Sequence, residues 1–419
     1  MPVELSEVDR SWLAGAHGEA SALAMRIVVE TAGVMGAERL VDIVAAHVDG
    51  CLYHGLAGLE FAERLAAGGA RVSVPTTLNV AYLDLLHPER YRGDRETAAN
   101  ARRQMDLYVA MGCKPTWTCA PYQLPERPSF GQHVAWAESN AIVFCNSVLG
   151  ARTNRYGDFI DVCAAITGRA PLAGLHLDGE RRARLVLRLE GVSTRLLASE
   201  ALHPVLGHLL GTEAGTSVAA IDGLPSDTSE DRLKAIGAAA ASSGSVAMFH
   251  AVGITPEAPT LDAATDGEDA DEVRVTPERL RAARDELTTT GETALGAVSV
   301  GTPHASLAEL DRLAQLLEEH RPTIPLFVNT ARDVLTEAER RGSVTALSDA
   351  GVEIVTDTCT YLTPIMGALD GPVMTDSAKW AWYAPANIGA DVVIGGLEEC
   401  VRSAAAGRVV RDEGLWADG

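Results

Sequence analysis

The sequence predicts an α/β protein built on largely parallel sheets, and three observations carry that reading. From residue 297 onward β-rich runs alternate with helical ones: a strand over 297–300, a loop over 301–304, a helix from Ser306, a strand over 325–328, a helix through Arg341, strands over 352–358 and 373–377, and a strand over 391–396 before a final helix. Strand-then-helix units repeated in this way imply parallel sheets with right-handed crossovers. Two of these strands end in reactive side chains: Asp357, Thr358 and Cys359 after one, Asp376, Ser377 and Lys379 after the next. Ligands of open α/β sheets sit at the carboxyl ends of strands, so the thiol and the Ser-x-Lys form two walls of one expected pocket. The chain of 419 residues is 47% hydrophobic and 22% charged, an ordinary globular balance. It exceeds the roughly 250 to 300 residues at which one core stops growing, so two or three substructures are expected.

Taken in order, the chain opens with helices over 5–35, rich in Ala, Leu, Met, Glu and Arg, the stronger helix formers. A buried strand is expected over 39–47, followed by a polar loop holding Asp49, Cys51, Tyr53 and His54. Functional residues concentrate on such loops, although the glycines at 50 and 55 also suit a plain turn. A helix over 60–67 and a short strand over 71–75 lead into Thr76, Thr77 and Asn79, another polar strand end. After a helix over 98–111, Pro115 and Pro121 exclude helix from GCKPTWTCAPY, so Cys113 and Cys119 lie in a rigid irregular loop. Their spacing matches no C-x(2–4)-C zinc pattern, and metal partners for Cys119 must come from elsewhere in the chain.

An apolar run over 141–144 ends in Cys145, Asn146 and Ser147, and Arg152 and Arg155 follow. An arginine there is either a bidentate partner for a carboxylate or phosphate, or a solvated turn residue. Strands are expected over 181–192. His203 and His208, in apolar surroundings and not at the spacing of a helical metal pair, read as core or boundary histidines. A helix over 225–240 and a strand over 245–251 come next. The acid-rich stretch 256–275 is expected as an exposed loop between an N-terminal part, 1–255, and a C-terminal α/β part, 276–419. The helix from Ser306 carries a capping box with Glu309 and a stripe of Leu307, Leu310, Leu313, Leu316 and Leu317.

Composition excludes several classes. A net charge of −22 argues against nucleic-acid binding, which depends on Lys and Arg. No run of 18 apolar residues offers a membrane span, and the acidic N-terminus is not a signal peptide. Seven cysteines spread over the chain suit a reducing cytoplasm better than a disulfide framework. No GxGxxG follows a strand and no GxxxxGK[ST] exists, so neither a dinucleotide site nor a P-loop is expected.

The motifs HVDGCLYHG, PTTLN, PTWTCAPYQLP, WAESNAIVFCNSVLGARTNRYGD, VGITPEAPT, GTPHASLAEL, FVNTARDVL, VTDTCTYLTPI and VMTDSAKWAWY closely resemble the large catalytic part of the aconitase X family, from about residue 5 to about residue 407. The resemblance implies an aconitase-like fold of multi-layer α/β/α domains, an iron–sulfur cluster of open nuclearity, and hydro-lyase chemistry on a small hydroxy acid. Family activities include dehydration of cis-3-hydroxy-L-proline and of mevalonate 5-phosphate. The family's small swivelling domain is not among the motifs found, so a separate small subunit is expected as partner.

The resemblance also assigns residues. Cys119 and Cys359 match the family's cluster motifs, and Cys145 is the candidate third ligand, because Thr302 stands in GTPHAS where some relatives have Cys. Three thiolates on a cluster leave one iron open to accept a hydroxyl as a Lewis acid. Lys379 and Arg152 are candidates for the substrate anion; Asn146, Ser147, Asn154, Asn79 and His54 for orienting it; Asp376 and Ser377 for holding the pocket. His304 either donates to the leaving hydroxyl or caps its loop. The metal-free alternative, a binding protein that keeps the fold without the chemistry, rests on Thr302.

Overall fold

The computed structural model describes residues 3–416. The chain gathers into two units: one runs to Leu83 and resumes over Gly93–Arg182, and the other takes Asp84–Arg92 and the chain from Ala183 on. The division falls at Arg182, not within the acidic stretch. That stretch is also not a bare loop: it contains a helix, Leu261–Thr265, and a strand, Asp271–Val275. The strand is an edge strand, paired only with Leu185–Leu189 among the described residues. Charged residues are common on such edges, so acidity reported exposure correctly and was a poor guide to backbone pairing.

In the first unit a small parallel sheet has the order Thr76–Leu78, Ala46–Val48, Ala135–Trp136. The single strand expected over 39–47 is two, because Leu40–Asp42 pairs antiparallel with Arg169–Pro171 instead. The strand expected over 71–75 forms later, at Thr76–Leu78, since Val72 and Ser73 donate their N–H groups to Met111 and Ala165. The cysteine-bearing loop lies along this strand: Thr118 N–H donates to Leu78 at 3.2 Å, and the Thr116 hydroxyl donates to the same carbonyl at 2.8 Å. The run 141–144 belongs to a helix, Ser139–Ser147, capped by Glu138 accepting from Ala141 N–H at 2.7 Å.

In the second unit, Phe249–Ala251, Ala219–Asp222, Leu185–Leu189 and Asp271–Val275 form a four-stranded parallel sheet in that order. A five-stranded parallel sheet has the order Glu353–Val355, Leu326–Thr330, Ala297–Ala305, Val373–Thr375, Val392–Ile394, as the strand–helix alternation predicts. From Ala297–Ala305 the chain adds two strands on one side and then crosses to add two on the other, making a switch point beside Val373–Thr375. Helix Leu307–Glu319 carries the expected capping box and buries Leu310, Leu313, Leu316 and Leu317. They pack with Val298, Val328, Met374 and Val401 in one core. Among the described residues no helix is long and apolar enough to cross a membrane.

Helices Leu202–Ala214 and Glu230–Ser243 approach each other through glycine. A Cβ on Gly207 would lie 2.7 Å from Ile236 Cα, 2.8 Å from Ala239 Cβ, and closer still to the Ile236 carbonyl. Backbone cannot yield as a side-chain tip can. Gly207→Ala gains about 1 kcal/mol of helix propensity and loses roughly 1 to 3 kcal/mol to overpacking. The expected outcome is a lowered melting temperature by calorimetry, although alanine is the better helix former.

Candidate active site at the carboxyl edge of the five-stranded sheet

The crevice outside the carboxyl ends of strands at a switch point is where open α/β sheets bind ligands. Here His304, Thr302, Cys359, Asp376, Ser377 and Lys379 come from those strand ends. His304 lies within strand Ala297–Ala305, not in a loop after it, because the ladder with Leu326–Thr330 resumes at Ala305 after an irregularity. Gly301 makes that irregularity feasible: its φ is 79°, and a Cβ there would lie 3.2 Å from Asn329 N and 3.1 Å from Ala305 Cβ.

The loop after Glu353–Val355 is held from several sides. Arg332 grips the Asp357 carboxylate with Nε at 2.6 Å and Nη2 at 2.5 Å, and Leu85 N–H donates to it at 3.0 Å. Asp84 accepts from Thr356 N–H at 3.2 Å and from the Thr356 hydroxyl at 3.0 Å. Arg92 N–H donates to the Pro364 carbonyl at 3.0 Å. Thr360 accepts from Trp380 Nε1 at 2.9 Å, and its N–H donates to Asn329 at 3.1 Å.

His304 Nε2 donates to the Thr358 carbonyl at 3.1 Å, which leaves the lone pair on Nδ1. Burial pushes its pKa down from 6.5 to about 4, opposed by the Thr358 carbonyl and aided by Lys234 and Lys379. The imidazole is therefore neutral, as metal ligation requires. Cys119 is buried in the first unit, and His304 and Cys359 are buried in the second. Two thiols and a neutral imidazole oriented by a carbonyl are a donor set that suits iron and iron–sulfur centres.

The remaining expected ligand is Cys145. It is fully buried on helix Ser139–Ser147, and burial pushes its thiol pKa up, away from the thiolate. Three other candidates are committed to the first unit's own framework. Asn146 bonds Thr153 through both ends of its amide, at 2.9 and 3.0 Å. Asn154 donates to Ala173 and accepts from Leu175, each at 2.9 Å. Arg152 donates to the His176 carbonyl at 2.9 Å and pairs with Asp178. Ser147 is buried on the same helix as Asn146, Asn79 donates to Asp49, and His54 is exposed beside a cavity that Leu56 and Phe159 also line.

Sequence reasoning missed Lys234. Its buried ammonium pairs with Glu309 and, at 3.1 Å, with Asp231; Ser306 N–H donates to Glu309 at 2.8 Å, and the Ser306 hydroxyl donates to Asp231 at 2.8 Å. This closed ring ties helix Glu230–Ser243 to the turn just after His304. Burial works against the charge on Lys234, but Glu309 and Asp231 hold its pKa above the usual lysine range. Asp376 differs: burial, with Glu309 and Glu200 nearby, raises its pKa to about 7.

The aconitase X first, second and third domains match residues 2–179, 183–285 and 295–406. A cis-3-hydroxy-L-proline dehydratase of Pseudomonas aeruginosa is 45% identical over 96% of this chain and 70% of that enzyme. The phosphomevalonate dehydratase large subunit of Methanothermobacter thermautotrophicus is 39% identical over 93% of this chain and 96% of that subunit. The crystal structure of Thermococcus kodakaraensis aconitase X in its holo-form superposes with a TM-score of 0.86 at 34% identity, covering 96% of this chain and 100% of that one.

One titration follows from burial. Burial, aided by Arg232 and opposed by the Ser199 and Glu200 backbone, pushes the His203 pKa from 6.5 down to about 3. The unfolded chain binds this proton first as pH falls below 6.5, so folded stability is lost as pH drops toward 3. Between pH 7 and pH 5 this group alone is worth about 2 kcal/mol. His203→Leu is expected to remove that share of the acid sensitivity, read as the difference between urea unfolding curves of variant and parent at the two pH values.

Proposed function

The chain belongs to the aconitase X family and is a hydro-lyase, and from that premise we propose that it dehydrates cis-3-hydroxy-L-proline to Δ1-pyrroline-2-carboxylate. The observation that carries the substrate is the 45% identity with the Pseudomonas enzyme over nearly the whole chain, above the 39% with the Methanothermobacter large subunit. A second observation supports it. A phosphorylated substrate calls for converging basic groups, whereas Arg152, one of two arginines expected to supply them, is tied to Asp178 and the His176 carbonyl.

In this reading Cys119, Cys359 and His304 hold an iron–sulfur cluster. When bound, the cluster supplies a Lewis acid for the departing hydroxyl. The chain's own residues bind and orient. Lys379, buried in the first turn of helix Ala378–Ile388, offers its cation to the substrate carboxylate. Ser377 fixes that turn by accepting from Trp380 N–H at 3.1 Å. Asp376 and Ser377 shape the wall beside it. Loss of the C2 proton and the 3-hydroxyl leaves an enamine that tautomerises to the cyclic imine, with one water released. A small swivelling subunit covers the site and supplies the proton acceptor; the large-subunit names of the archaeal relatives support it. Excluding water strengthens every electrostatic contact inside such a site.

Anaerobic reconstitution with iron and sulfide, with the candidate small subunit present, is expected to give brown protein that dehydrates cis-3-hydroxy-L-proline and leaves mevalonate 5-phosphate unchanged. Colourless protein that binds neither iron nor sulfide would favour the metal-free alternative. Cys119→Ser and Cys359→Ser are each expected to lose iron measured by chelation, whereas Cys145→Ser keeps it; iron loss in Cys145→Ser alone would reverse the ligand assignment.

A further inference from the structure

We propose that the cavity beside Asp376 is an ammonium subsite, one that selects substrates carrying a cationic secondary amine and rejects phosphorylated ones. The proposal rests on the hydroxyproline reading above and deepens it. The cavity, about 450 Å³, lies wholly within the second unit and is lined by Glu200, His203, Asp227, Asp231, Glu309 and Asp376, together with Arg232 and Arg312. Asp376 and Glu309 also line a smaller cavity shared with Thr302, Pro303 and Ser377, so the subsite adjoins the switch point.

Five carboxyl groups against two guanidinium groups make the cavity acidic, and the guanidinium groups are partly committed elsewhere. Arg232 donates to the Ala198 carbonyl at 2.6 Å, and Arg312 pairs with Glu398 at 3.3 Å. Asp231 and Glu309 are engaged by Lys234. What remains is a set of unmet acceptors. Asp376 Oδ1 is buried with no partner among the described residues, and the fully buried His203 ring meets the Ser199 and Glu200 backbone, which can take its one N–H and leave the other nitrogen an acceptor. Leaving such a group unsatisfied costs about 1 to 3 kcal/mol, so persistent orphans at one cavity point to a ligand that donates. A secondary ammonium brings two N–H donors and a positive charge, one donor for Asp376 and one for the neutral imidazole. A phosphate brings only acceptors and a charge that the carboxylates repel. Lys379, three residues from Asp376 at the same strand end, would meet the carboxylate of the same amino acid.

The test compares two rings of one shape. L-Proline carries the ammonium; tetrahydrofuran-2-carboxylate has an oxygen in its place. Calorimetric titration of the full chain is expected to show L-proline binding about tenfold tighter or more. Asp376→Asn should shrink that preference to about twofold or less, and His203→Leu should reduce it too, with circular dichroism showing both variants folded. Equal affinity for the two rings, no measurable binding of L-proline, or a preference surviving both substitutions would overturn the proposal. The dehydration assay separates the two claims: turnover of cis-3-hydroxy-L-proline without the preference sinks the subsite alone, and the preference without turnover sinks the substrate alone.

Discussion

Asp357 has a φ of 62°, in the left-handed region that a non-glycine residue holds only when its surroundings enforce it. The enforcement is electrostatic. Arg332 grips the carboxylate with two nitrogens while Leu85 N–H donates to it, and Asp84 secures Thr356 one residue earlier. Strain of this kind costs about 1 to 3 kcal/mol, which a buried bidentate pair can offset. One residue beyond Asp357, the Thr358 carbonyl orients His304, and Cys359 follows. Two buried carboxylates thus fix a thiol and an imidazole from the two strands that flank Leu326–Thr330.

The same logic explains how so acidic a chain keeps buried cations at one edge of a sheet. The net charge of −22 describes the molecule as a whole, whereas a site responds to charges within a few ångströms, where screening by water is weak. Lys234 and Lys379 are both buried at the carboxyl edge. The orphaned Asp376 sits beside the ring that Lys234 closes, so a buried cation and an unmet acceptor lie side by side. A substrate with one carboxylate and one ammonium matches that arrangement better than one with two anionic ends.

Much of the second unit was legible in the sequence because its signals are local. The Ser306–Glu309 capping box, the leucine stripe and the strand–helix alternation each describe a few consecutive residues, and each appears as read. The site was legible in part. Motifs marked Cys119 and Cys359 as candidates, and polar strand ends marked Asp376, Ser377 and Lys379. What failed was partnership at a distance. Asn146, Asn154 and Arg152 looked free because nothing in a sequence shows which carbonyls will face them. Lys234 gave no signal, since its partner Glu309 lies on a separate helix, and nothing in the sequence marks Asp84–Arg92 as the segment that straps the Cys359 loop.

The central claim is that His304 joins the two cysteines as a ligand. Pulsed electron paramagnetic resonance of the reduced, reconstituted protein, grown with 15N-labelled histidine, measures it directly. The account predicts a strongly coupled 15N nucleus from a directly bound imidazole, absent in His304→Ala. An iron–sulfur signal with no such coupling in the parent protein would contradict it.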